Sequence, residues 1–350
     1  MLDIRNFPAL RSAYATTTLF LPQHINMSLS TLHYDPEFAA VLSGVNIPPP
    51  PATFKDVFEL REWGDSLLEG LGFGMPIPEN VLQTIIPFES HDGTVLNITH
   101  FSNSNKPKNS TQQPAVFYVH GGGMVAGSVE LYAPNIANAV DSYGLDFFAV
   151  DYRLAPEQPG PKLTEDVYYG LKYLSDHAKE YHVDNKRIAI MGDSAGGGLA
   201  AGAALLARDR ALSPPIAKQV LIYPMLDDRT RLPENSAYTQ FLLWTENANQ
   251  LGWSSVLGEG VAGNPKANAS IYAAPGRAKN LRGLPPTYID VGQLDLFMFE
   301  DIAYANKLAE AEVEVELHIL PGLPHAFEFA SNATLVKQAL QSRKRALMQV

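Results

Sequence analysis

The sequence contains no cysteine. That single absence excludes a disulfide framework, a thiolate nucleophile and a zinc–thiolate site. Its nine histidines never form a tight pair such as HExxH, so no metal site is expected, and no cofactor. No stretch approaches ~18 consecutive apolar residues, so no membrane-spanning helix is expected. Positive charge is also short. Against 37 aspartates and glutamates stand 26 lysines and arginines, a formal net charge of −11. Such a surface repels phosphate backbones and argues against a nucleic-acid partner. What is present is an ordinary globular composition, 46% hydrophobic over 350 residues, enough for a large buried core in one or two domains.

The first 26 residues contain Asp3 early, and their most apolar part, Thr18 to Pro22, is too short for the core of a secretory signal. They are expected to be an extra cap segment, with Met27 as a plausible alternative start. Without an export signal the Asn-x-Ser/Thr sequons, such as Asn97 and Asn268, read as chance. The default expectation is a cytoplasmic enzyme, monomeric or homodimeric.

Residues 1–80 read as helical. Asp35 is placed as N-cap with Pro36 as first helical residue. A proline run from Pro48 to Pro51 ends that region, and Thr53 with Asp56 resembles a capping box opening a second helix through about Leu71. Leu60, Trp63, Leu67 and Leu71 recur at three- and four-residue steps and make one buried stripe. From about residue 81 the texture changes. Val81–Pro87 and Thr94–Phe101 read as strands around a His91-Asp92-Gly93 turn. Apolar runs follow at Ala115–Val119, Asp146–Asp151, Arg187–Met191, Gln219–Tyr223, Thr287–Val291 and Glu314–Leu320. Helical patterns alternate with them, near Tyr132–Tyr143, Thr164–Glu180, Ala195–Arg210, Asp301–Glu312 and Thr334–Met348. Solid apolar strands alternating with helices predict an α/β fold, a mostly parallel sheet with helices on both faces. Between Tyr223 and Pro286 there is no clear strand. A helical pattern from Ser236 to Leu257 there carries Phe241, Trp244 and Trp253. An insertion on the functional edge of such a sheet reads as a lid or pocket wall, most sharply over residues 226–262. Phe241 and Trp244 are candidate pocket residues, although aromatics at helical spacing also occur as plain packing.

Gly192-Asp193-Ser194-Ala195-Gly196 follows a predicted strand and opens a predicted helix, the setting a nucleophile elbow requires. The pentapeptide alone is weak; its position strengthens it. His120-Gly121-Gly122-Gly123 follows the strand Ala115–Val119. Its glycines leave backbone N–H groups free to approach a carbonyl oxygen, and with the N–H of Ala195 they would form an oxyanion hole. His120 itself reads as a brace for the loop. A serine of ordinary acidity needs a general base, and the base needs an orienting carboxylate. Downstream of Ser194 stand only His318, inside a predicted strand, and His325, in a loop; the loop residue is the better base. Asp290, Asp295 and Asp301 are the candidate acids. Asp290 falls inside a strand, and Asp301 is expected to begin a helix as a cap or surface charge. Asp295 falls just after the strand end and is preferred.

These motifs, with Asp151-Tyr152-Arg153-Leu154-Ala155-Pro156-Glu157, Tyr223-Pro224-Met225-Leu226-Asp227-Asp228-Arg229 and Pro321-Gly322-Leu323-Pro324-His325, resemble the hormone-sensitive-lipase-like esterases of the α/β-hydrolase superfamily. The resemblance runs from about Ala115 to Phe327. It implies the α/β-hydrolase fold with an eight-stranded sheet and a helical cap, the latter built partly from the amino terminus. The catalytic domain would then occupy residues 81–350. It implies Ser194, Asp295 and His325 as catalytic triad, Gly122, Gly123 and Ala195 as oxyanion donors, and activity on short- to medium-chain carboxylic esters. Two departures stand out. Leu296 to Asp301 replaces a segment that often has proline and arginine, and Ala326 stands where glycine is frequent. Arg153 and Glu157 are expected to be buried partners. Lactone or amide hydrolysis, acyl transfer in a biosynthetic pathway, or a non-catalytic small-molecule receptor are the alternatives, because fold and triad do not determine the substrate.

Overall fold

Solid apolar runs become the centre of one sheet. The structure, a computed structural model, describes residues 30–45, 50–70, 76–106 and 111–350. The readings of residues 1–26, of Pro48 and Pro49, and of Leu71 lie outside the described residues. Eight strands, β1 (Val81–Glu89), β2 (Val95–Asn103), β3 (Gln113–Val119), β4 (Asp146–Val150), β5 (Val183–Asp193), β6 (Lys218–Ile222), β7 (Thr287–Gly292) and β8 (Val315–Leu320), form a sheet in the order β1-β2-β4-β3-β5-β6-β7-β8. β1 and β2 are antiparallel to their neighbours, and every pair from β4–β3 through β7–β8 is parallel. The parallel strands β3 to β7 are buried along most of their length, as strands covered on both faces must be. Leu82, Ile85 and Val95 on the β1–β2 hairpin stay exposed.

The helices are α1 (Pro36–Gly44), α2 (Val57–Leu68), α3 (Val129–Tyr143), α4 (Lys162–His177), α5 (Ala195–Asp209), α6 (Glu246–Leu257), α7 (Met298–Glu310) and α8 (Thr334–Leu347). The Asp35 carboxylate accepts from Phe38 N, and Pro36 takes the first helical position. The second helix is capped three residues later than the sequence predicts. Asp56, not Thr53, accepts from Phe58 N and Glu59 N, and Glu59 accepts from Lys55 N. Of its stripe, Leu60 is fully buried and Trp63 and Leu67 partly so. The predicted helix from Ser236 to Leu257 is two pieces. A 3-10 turn at Thr239–Phe241 is followed by α6, because Thr245 accepts from Ala248 N and starts a new helix.

The described residues from Leu32 onward belong to one compact unit. Within it, α2 packs against α6, and Phe54 N donates to Asn247 Oδ1 at 2.9 Å. Tyr34 meets Phe241 edge-on at 5.0 Å between ring centres. The helical stretch ahead of β1 and the segment between β6 and β7 therefore come together in space. No helix among the described residues is long and apolar enough to cross a membrane.

Candidate active site

The site lies where the carboxyl ends of β3, β5, β7 and β8 give way to loops. At the end of β5 the chain turns sharply into α5, and Ser194 at the turn has φ +56° and ψ −121°. For a non-glycine residue that conformation costs on the order of 1–3 kcal/mol and persists only where the surroundings over-determine it. Here they do. Ser194 N donates to Ile222 O at 2.8 Å, while Ser194 O accepts from Met225 N at 2.9 Å and Gly198 N at 3.1 Å. Gly196 permits the crossing beneath, since a Cβ there would lie 2.1 Å from Val119 O. That contact presses the first turn of α5 against the start of the glycine loop. All thirteen residues from Ala195 to Ala207 are buried, which explains a helix of glycine and alanine with poor intrinsic propensity.

The glycine loop is held from several sides. Gly122 has φ +108°, and its carbonyl accepts from Val125 N and Ala126 N; a Cβ on Gly122 would lie 2.0 Å from Ala126 O. Arg61 of α2 donates to Val125 O at 2.5 Å, and Asp65 accepts from Gly127 N at 2.8 Å. Trp244 lies with its six-membered ring against the Cα of Gly123, and its indole N–H donates to Asn249 Oδ1 at 3.3 Å. Phe241 is buried against Tyr34. His120 is fully buried, stacks on Tyr152 at 4.3 Å, and its Nδ1 lies 2.8 Å from Gly121 O. Burial lowers its pKa, so the imidazole is neutral and donates to that carbonyl.

Asp295 and His325 come from neighbouring loops that are laced together. Gln293 N donates to Leu320 O and Leu294 N to Leu323 O, at 2.8 and 2.9 Å. His325 Nδ1 then lies 2.6 Å from Asp295 Oδ2, and Nε2 lies 3.0 Å from Ser194 Oγ. Asp295 is buried, and its other oxygen accepts from Phe297 N at 2.9 Å. The imidazole sits between Tyr223 and Phe297, whose ring centres are 4.5 and 5.4 Å away. Such a chain can hold a neutral imidazole as Nδ1–H and let Nε2 receive the serine proton. His318 is elsewhere, beside Glu316.

Several side chains are not where the sequence places them. The helix begins three residues earlier than expected, at Met298, and Asp301 does not face water. It lies in the first turn of α7, fully buried, and neither carboxylate oxygen has a partner among the described residues. Burial, with Glu300, Asp295 and Asp290 nearby, pushes its pKa well above the usual carboxylate range. Glu300 accepts from Leu226 N, Asp227 N and the Thr230 hydroxyl, yet burial outweighs these bonds and raises it to about 8. Arg153 and Glu157 are not partners. Arg153 pairs with buried Asp166 and with Asp92, whereas Glu157 is surface-exposed and accepts two bonds from Arg61. The motif residue Asp193 is partly buried and accepts at 2.8 Å from the Tyr118 hydroxyl; loss of solvation at its carboxylate lifts it to about 7. Asp290 is buried with Arg343, a contact that sequence reasoning missed. The signal for it is the spacing Val336, Ala339, Arg343, Ala346, which places an arginine on the apolar face of α8.

A family model described as alpha/beta hydrolase fold matches residues 116–329. The chain is 35% identical to esterase LipI of Mycobacterium tuberculosis over 237 residues, 68% of this chain and 72% of that protein. It is 34% identical to carboxylesterase NlhH of the same species over 246 residues, 67% of this chain and 72% of that one. Among solved structures, a bacterial heroin esterase is similar with a TM-score of 0.81 at 35% identity, covering 90% of this chain and 97% of its own. A Pyrobaculum calidifontis esterase gives 0.74 at 28% identity, covering 90% and 98%. The chain belongs to the α/β-hydrolase family, in its hormone-sensitive-lipase-like branch.

Proposed function

We propose that the chain hydrolyses short- to medium-chain carboxylic esters through an acyl-enzyme on Ser194. It is an enzyme of the carboxylesterase class. The observation that carries the mechanism is the run Ser194 Oγ, His325, Asp295, with contacts of 3.0 and 2.6 Å. His325 takes the Ser194 proton as the oxygen attacks the ester carbonyl carbon. The negative charge on the carbonyl oxygen is met by the backbone N–H groups of Gly122, Gly123 and Ala195, each such donor worth about 3 kcal/mol of barrier. The carbon–oxygen bond to the alcohol breaks as His325 returns the proton to the leaving oxygen. Water then repeats the attack on the acyl-enzyme with His325 as base, releasing the acid. Asp295 holds the Nδ1–H tautomer and stabilises the imidazolium formed in each half-reaction.

In this reading residues 32–45, 50–70 and 226–262 contribute to a cap over the catalytic domain. Their contacts through Phe54–Asn247 and Tyr34–Phe241 support it. Trp244, against Gly123, would wall the space beside the reacting carbonyl. The decisive experiment is Ser194→Ala assayed on p-nitrophenyl butyrate with folding checked by circular dichroism. Turnover is expected to fall about 10⁴-fold or more; undiminished turnover overturns the mechanism. Labelling by a fluorophosphonate, lost in Ser194→Ala, separates this reading from a receptor that only binds.

A further inference from the structure

Beside His325 runs a series of buried and partly buried polar groups that the proposed chemistry does not use. It starts on α8 with Arg343, only 3% exposed. Its Nε and Nη2 donate to the two oxygens of Asp290 at 2.6 and 2.8 Å, and Nη1 donates to Glu328 Oε1 at 2.5 Å. The second oxygen of Glu328 accepts from the Tyr223 hydroxyl at 2.8 Å. The Tyr223 ring is the one that lies against the His325 imidazole. The Arg343 guanidinium also lies over the rings of Tyr223 and Phe327, at 5.8 and 5.2 Å.

This arrangement is more specific than packing requires. An apolar side chain at position 343 would occupy the space without desolvating a charge. Instead one guanidinium ties three elements: β7 through Asp290, α8 itself, and the 3-10 turn Phe327–Ala330 through Glu328. That turn follows His325 with only Ala326 between, and Ala326 is left-handed at φ +54°. A connection so short passes any shift of Glu328 on to the imidazole. Tyr223 is strained as well, with φ +34°, and its N–H donates to Asp290 O at 2.7 Å. Both ends of Tyr223 are thus held by the groups that hold Arg343.

We propose that Arg343 is a positioning residue for the general base. Through Glu328 and Tyr223 it holds the His325 loop so that the imidazole stays in line between Asp295 and Ser194. The proposal rests on the acyl-enzyme reading of the site. The groups around the run are Asp290 and Tyr288 of β7, Asp193 of β5, Tyr118 of β3 and Tyr132 and Tyr143 of α3, with Tyr223, Glu328 and Asp295 from the loops. Arg343 supplies the permanent positive charge among them. Removing it leaves the Asp290 and Glu328 carboxylates uncompensated near His325 and favours the imidazolium. Removing the Glu328 charge does the reverse.

The test compares wild type, Ser194→Ala, Arg343→Lys, Arg343→Gln, Glu328→Gln and Tyr223→Phe on p-nitrophenyl butyrate between about pH 5 and 9, recording the unfolding midpoint of each. In Glu328→Gln and Arg343→Gln, kcat is expected to fall about 10- to 100-fold with KM changed less than about twofold, the mark of a misplaced catalytic group. The acidic limb of kcat/KM should move to higher pH in Arg343→Gln and to lower pH in Glu328→Gln. Arg343→Lys should restore the limb but only part of kcat, because an ammonium cannot span both carboxylates. Tyr223→Phe should lower kcat without moving the limb. Glu328→Gln and Tyr223→Phe preserve shape, so they decide the matter even where Arg343→Gln does not fold. Wild-type kcat and an unmoved limb in both, whatever their unfolding midpoints, overturn the proposal. Turnover retained by Ser194→Ala would overturn the acyl-enzyme reading and the proposal with it.

Discussion

Two pairs of acids, wholly or partly buried, lie near His325 and Asp295, and they solve the same electrostatic problem differently. In one, Asp290 and Glu328 share the guanidinium of Arg343, which makes hydrogen bonds to both. In the other, Glu300 and Asp301 follow each other at the start of α7 with no cation bonded to either among the described residues. An unpaired carboxylate cannot keep its charge out of water, so its proton affinity rises, to about 8 for Glu300 and well above the usual carboxylate range for Asp301. A cation bonded to both acids is what the second group lacks.

The largest effect is expected from breaking the paired group. Arg343→Met should destabilise the fold by about 3–5 kcal/mol, read from urea unfolding, because two carboxylates lose their buried partner. The unpaired group should respond in the opposite sense. Asp301→Asn should raise stability near neutral pH by roughly 0.5–2 kcal/mol. The sign follows from proton linkage. A carboxyl whose folded pKa lies above its unfolded value stabilises fully below the unfolded value, and that contribution is lost as pH rises through the folded one. For Glu300 the window runs from the ordinary 4.5 to about 8. Stability followed across that window should decline less steeply in Asp301→Asn and in Glu300→Gln than in wild type. An equal slope in all three would show that these acids are ionised in the folded state. Within the paired region, Ala326→Gly should add about 1 kcal/mol by removing a left-handed alanine beside His325. The smallest change sharpens the contrast from outside. Glu157→Ala, which deletes an exposed partner of Arg61, should cost less than about 1 kcal/mol, against several for the buried arginine.

Much of the fold was legible because its signals are local. Solid apolar strands alternate with helices, and Asp35 with Pro36 marks a helix start by capping alone. The loop residues singled out in the sequence, Ser194, Asp295 and His325, are those that lie within hydrogen-bonding distance of one another. Each stands just past a strand, and the strand pattern is readable. Misreadings arose where a residue had two plausible local roles. Thr53 and Asp56 can both cap a helix, and Thr245 can interrupt one that periodicity joins. Asp301 looked like a helix-start acid, a role in which an exposed carboxylate is favourable. Its burial is set by what packs over α7, which no local pattern records.

The sequence by itself determined the order of elements, the glycines at the sharp turns and the chemistry available at each strand end, since these depend on residue type and short spacing. Only the tertiary structure decided the partners. Arg61 reaches Glu157, Arg153 reaches Asp166, and Arg343 reaches Asp290 and Glu328 from the last helix. Those pairings depend on how strands distant in the chain lie side by side, and on which charges that arrangement removes from water.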